Sequence, residues 1–81
     1  MHYEVDVIIP TGLNSQTRRF LDSVQRSANR VVRFAGDSGS TTLTVEVAGM
    51  CRDDAVRAAA GEVVRIFPAC RNASFGEPRQ T

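Results

Sequence analysis

The chain has 81 residues, a hydrophobic fraction of 42%, a charged fraction of 23% and a formal net charge of +1. A chain of this length buries roughly 60% of its unfolded surface in one two-layer core, which leaves no room for a deep catalytic cavity with a lid. No apolar run approaches the ~18 residues that span a bilayer, and the ten basic residues, all arginine, are interspersed with nine acids rather than gathered on one stretch.

Residues 3–9 alternate as a half-buried strand does. Tyr3, Val5, Val7 and Ile9 point one way, and Glu4, Asp6 and Ile8 the other. Pro10 ends the run, because proline cannot donate to a ladder. Thr11, Gly12, Leu13, Asn14 and Ser15 form a turn into a helix, with Asn14 or Ser15 as its N-cap. That helix runs to about residue 28, with Thr17, Phe20, Leu21, Val24 and Ala28 on its buried stripe. Asp22 and Arg26 form a favourable i,i+4 pair on it.

Residues 30–35 have strand character, with Val32 and Phe34 inward and Arg33 outward. Gly36, Asp37, Ser38, Gly39 and Ser40 are a turn cluster suited to a hairpin. Residues 41–47 make the clearest strand of the chain, with Leu43, Val45 and Val47 on one face and Thr42, Thr44 and Glu46 on the other. A second helix spans about 53–67, with Asp53 as N-cap and Val56, Ala59, Ala60, Val63 and Phe67 as its buried stripe. Gly61 weakens that helix by about 1 kcal/mol relative to alanine and points to a close approach of backbones. Pro68 stops it.

Residues 71–75 form the last strand, with Ala73 and Phe75 inward. Residues 1–76 then make a single domain, and residues 77–81 a flexible tail. Cys51 and Cys70 sit at opposite ends of the second helix, whose axis is on the order of 22 Å long. A disulfide bridges Cα atoms only within about 7 Å, so free thiols and a reducing compartment are expected. The N-terminus enters the first strand at once, without the pattern of a signal peptide, so the cytoplasm is the expected location.

The order β-α-β-β-α-β predicts an α+β fold of the ferredoxin-like kind. This is a two-layer sandwich, with a four-stranded antiparallel sheet and two helices on one face. Its open face would carry Glu4, Asp6, Thr42, Thr44 and Glu46 on the central strands, with Arg33, Asn72 and Ser74 toward the edges. Three acids so close repel unless paired, and Arg33 is the neighbour available to offset them.

Several chemistries are excluded residue by residue. RNA-recognition modules of this topology stack bases on sheet aromatics, whereas the open face here carries acids and threonines in their place, and the acids repel phosphate, which argues against nucleic acid. The phosphate-loop arginine and central-strand asparagine of acylphosphatases have no counterpart. Gly49, Met50 and Cys51 resemble part of the Gly-Met-x-Cys-x-x-Cys loop of heavy-metal-associated domains. The spacing differs, however, and one thiol builds no metal site. His2 is at the terminus, and neither Cys51 nor any serine has a paired base. No catalytic group, cofactor or metal is expected.

Two functional expectations remain. The leading one is a non-catalytic domain that acts by association, as a homodimer or with a protein partner. The strand over residues 30–35 carries no proline and can pair with a copy of itself. Val31 and Arg33 on that strand, and Glu4, Asp6, Thr44 and Glu46 on the open face, are the candidate contact residues. The alternative comes from Gly12 and Leu13, whose placement at the start of the first helix is similar to the ligand-binding turn of ACT domains. That resemblance implies a sensor holding a small anionic metabolite at residues 11–18, through Thr11, Gly12, Asn14, Ser15 and Arg18. The chain lacks the acidic residue that usually precedes that turn.

Overall fold

The computed structural model describes residues 1–26, 30–68 and 72–81. Its elements in chain order are β1 (His2–Ile9), α1 (Ser15–Arg26), β2 (Val31–Gly36), β3 (Thr41–Ala48), α2 (Arg52–Ile66), β4 (Ser74–Phe75) and β5 (Arg79–Gln80). β1 and β3 pair antiparallel from His2 opposite Ala48 to Ile9 opposite Thr41. β2 lies on the far side of β3, and β4 and β5 lie on the far side of β1. The fold is therefore α+β, with an open antiparallel sheet in the order β2-β3-β1-β4 and two helices.

The alternation of β1 and β3 decides where the core sits. Tyr3, Val5, Val7 and Ile9 of β1 and Leu43, Val45 and Val47 of β3 are buried on the same face. Leu21 of α1 and Ala55, Ala59 and Val63 of α2 join them in one cluster. Asn14 is the N-cap of α1, its Oδ1 accepting from the Thr17 N–H at 2.8 Å. α1 is held by Leu21, while its neighbour Phe20 stays 43% exposed and meets Phe67 edge-on, with ring centroids 5.5 Å apart.

Beside Phe20, and Phe75, which is 37% exposed in a strand reduced to Ser74–Phe75, the structure departs from the sequence pattern in five places. In β2, Val31 rather than Val32 turns inward, because Val31 opposes Val45 while Arg33 already opposes Thr44. Val32 is the extra residue of a bulge, which resets the alternation so that Val31 and Phe34 both face the core. In α2 the buried stripe is Ala55, Ala59 and Val63, with Val56 and Ala60 only half-buried. Small residues at i, i+4 let this helix sit close to the sheet.

Cys51, not Asp53, is the N-cap of α2; Asp53 and Asp54 occupy its first turn, and Asp54 Oδ2 accepts from the Met50 N–H at 3.2 Å. Gly61 marks no close approach, since an added Cβ would meet nothing within 4 Å. Finally, the C-terminal residues are not a free tail. Tyr3 opposes Gln80 and Glu4 opposes Arg79, Pro78 is buried, and the Thr81 N–H reaches the His2 carbonyl at 2.9 Å. Ala28, Cys70 and Arg71 lie outside the described residues.

Candidate functional site

The open face is organised by arginines. The register sets Glu4 opposite Glu46 and Asp6 opposite Thr44, with Arg33 on the other side of Thr44. Arg33 reaches Glu4 at 3.2 Å. Arg79 of β5 grips Asp6 with two nitrogens, at 2.9 and 3.2 Å, and approaches Glu4 at 3.5 Å. The Thr44 hydroxyl donates to Asp6 Oδ1 at 2.6 Å and is itself buried beneath these side chains. A shallow hollow of about 230 Å³ beside this network is lined by Asp6, Arg33, Phe34, Ala35, Thr42 and Thr44.

The Arg79 fork, with help from the Thr44 hydroxyl, holds the Asp6 carboxyl at about 2, below its ordinary 3.8. Because the folded value is the lower one, folding favours the ionised form. The resulting stability is complete above about pH 5 and is lost as pH falls from about 4 to about 2. Asp6 is 32% exposed, so after solvent screening the contribution is on the order of 1 kcal/mol. Urea midpoints between pH 5 and pH 2 are expected to fall less steeply for Asp6→Asn than for the parent. Parallel curves would show that the fork contributes nothing.

The turn between β1 and α1 is a second candidate. Thr11, Gly12, Leu13 and Asn14 line a hollow of about 440 Å³ together with Asp37 and Ser38 of the β2–β3 hairpin. Of the sequence-derived ligand residues, Thr11, Gly12 and Asn14 come together here, while Ser15 and Arg18 are exposed outside the lining. The donors of the turn are partly engaged already. Leu13 N–H donates to the Asp37 carbonyl at 2.7 Å, Thr17 N–H to Asn14 Oδ1, and Arg18 N–H to the Asn14 carbonyl. The Asp37 side chain accepts from Gly39 and Ser40 N–H at 2.8 and 3.0 Å, which holds its carboxyl below the ordinary value. Asp37 is the one ionisable residue of this lining, which holds no cation.

The two sheet edges differ. On the β1 side, two strands of two residues each are separated by Gly76, Glu77 and the buried Pro78, which blunts that edge. On the other side, β2 runs for six residues without proline, and among the described residues no strand lies beyond it. The hairpin bond from Asp37 N–H to the Ser40 carbonyl, 3.0 Å, sets the phase of the β2–β3 ladder. Ala35 and Arg33 then bond to β3, and the N–H and C=O of Phe34 and Gly36 turn outward. The outward carbonyl of Val32 is taken by the Gln25 side chain at 2.7 Å.

Of the sequence-derived contact residues, Glu4, Asp6, Arg33, Thr44 and Glu46 do share the open face. Val31 does not, because its side chain is 3% exposed and belongs to the core. Arg79 escaped the sequence reading. The signal for it was the charge imbalance of three acids against Arg33, which calls for a second cation. Among the described residues, no group of three or more histidines, cysteines and acids comes together as a metal site. No helix among them is long and apolar enough to cross a membrane. Compared with protein-family models, curated proteins and solved structures, the chain matches none.

Proposed function

We propose that this chain is a small ferredoxin-like domain that acts by association, with a second copy of itself or with a protein partner, and has no catalysis of its own. The sheet order β2-β3-β1-β4, with both helices contributing to one core, supports the ferredoxin-like reading. The association reading rests on one observation. The β2 edge offers outward N–H and C=O groups at Phe34 and Gly36, while the opposite edge is blunted by short, proline-broken strands. A cytoplasmic setting suits Cys51, an exposed free thiol.

The sensor reading has the hollow at the β1–α1 turn in its favour, but a lining that holds Asp37 and no cation opposes an anionic ligand. It ranks second. Light scattering from roughly 10 µM to 1 mM, under reducing conditions, tests the first reading. Twice the chain mass at the upper end is the expected result. The mass of a single chain throughout, with no protein captured in a pull-down, contradicts it.

A further inference from the structure

We propose that β2 pairs antiparallel with β2 of a second copy, about a two-fold axis at Ala35, so that Arg33 of each chain faces Asp37 of the other. This rests on the association reading above and specifies its partner and register. The usable edge is short. The bulge at Val32, whose carbonyl is already taken by Gln25, closes it at one end, and the hairpin turn after Asp37 closes it at the other. The run from 33 to 37 is left, and its middle residue is Ala35.

Antiparallel pairing of this run with itself sets Phe34 opposite Gly36 of the second copy, and Gly36 opposite its Phe34. These are the residues whose N–H and C=O point outward, so both pairs exchange hydrogen bonds in each direction. Shifting the axis onto Phe34 would set Gly36 against the capped bulge residue Val32. Shifting it onto Gly36 would set Phe34 against the turn residue Ser38. Ala35 at the axis is a non-hydrogen-bonded pair, where Cα atoms come closest, and its small side chain permits this. Phe34 lies across from a glycine, a pairing in which the ring covers the bare backbone.

Charge supports the same register. Arg33 and Asp37 lie on the open face by strand alternation and come opposite each other twice across the axis. Arg33 is 59% exposed and holds Glu4 through only one of its terminal nitrogens. The Asp37 carboxylate is exposed and caps its own turn, Oδ1 accepting from both the Gly39 and the Ser40 N–H. Meeting Asp37 of the other chain takes the Arg33 guanidinium from Glu4, which lies on β1 two strands in, to the β2 edge, while Arg79 stays on Glu4 and Asp6. The product is one continuous sheet running through both copies.

Charge exchange tests the register. Arg33→Asp and Asp37→Arg are each expected to weaken self-association by roughly tenfold or more, since like charges then face across the axis. An equimolar mixture restores it, because Asp at 33 meets Arg at 37 in one pair and the native residues meet in the other. Asp37→Arg also removes a turn cap, so a second readout uses the parent protein alone. Amide exchange at Phe34 and Gly36 is expected to slow as concentration rises, while other exposed amides stay unchanged. A dimer whose Phe34 and Gly36 amides exchange freely, or variants that do not complement each other though folded, overturns this pairing and leaves association by another surface standing. A parent protein that stays monomeric at 1 mM overturns the pairing together with self-association.

Discussion

Replacing Leu21 with alanine is expected to cost about 3–5 kcal/mol, the range for a fully enclosed leucine whose cavity cannot collapse. Leu21 is the buried residue of α1 and is completely inaccessible in the core. It connects this helix to the sheet, so the surroundings have little with which to fill the gap. A domain of this size has a total stability of roughly 4–12 kcal/mol. The variant therefore sits close to unfolding, with a melting temperature lower by on the order of 15 °C or more. Phe20→Ala is the matched control, because Phe20 is largely outside the core and keeps one ring contact with Phe67. It is expected to lose only about 1–2 kcal/mol. Urea titrations followed by circular dichroism read both. A larger loss for Phe20→Ala would mean that α1 presents a different face to the sheet.

Gly12→Ala is expected to destabilise by about 3 kcal/mol, although it adds one methyl group to a surface turn. The added Cβ would lie 2.3 Å from the Ser38 carbonyl oxygen and 2.8 Å from its carbon. Both are backbone atoms, so no side chain can swing aside. The β1–α1 turn and the hairpin must separate, which strains the Leu13–Asp37 backbone bond and the bond from the Thr41 hydroxyl to the Thr11 carbonyl, 2.7 and 2.6 Å. Overpacking of about 1–3 kcal/mol then adds to weakened hydrogen bonds worth about 1 kcal/mol each. Gly61→Ala is the contrast, in open space on an exposed stretch of α2, and is expected to stabilise by about 0.5–1 kcal/mol. Equal effects at the two glycines in the same urea titrations would contradict the close contact between the turn and the hairpin.

The parts legible in the sequence are those fixed by a period. Strict alternation in β1 and β3 shows the core face and the acids behind it, and the apolar stripe of α1 shows Leu21. What escaped was whatever breaks a period. The bulge at Val32 inserts one residue, and no composition rule marks where. α2 has apolar residues on more than one side, so Ala55 could not be told from Val56 by pattern alone. The C-terminal residues look like a tail because a strand of two residues has no periodicity to detect. Yet Arg79 joins the open face through its charge and through the ladder beside Glu4. Asp37 reads as a turn residue from the sequence. Only the three-dimensional arrangement places it in the wall of the hollow and at the end of the open edge.

Self-association through the β2 edge brings Ala35 of the two copies face to face. A half-filtered NOE experiment on a mixture of isotope-labelled and unlabelled protein reads this most directly. The expected result is a strong intermolecular cross-peak between the α-protons of Ala35 and Ala35 of the second copy, with further contacts confined to residues 33–37. Intermolecular contacts at Phe20, Val64 and Phe67 instead would place association on the helical side of the molecule and contradict the account.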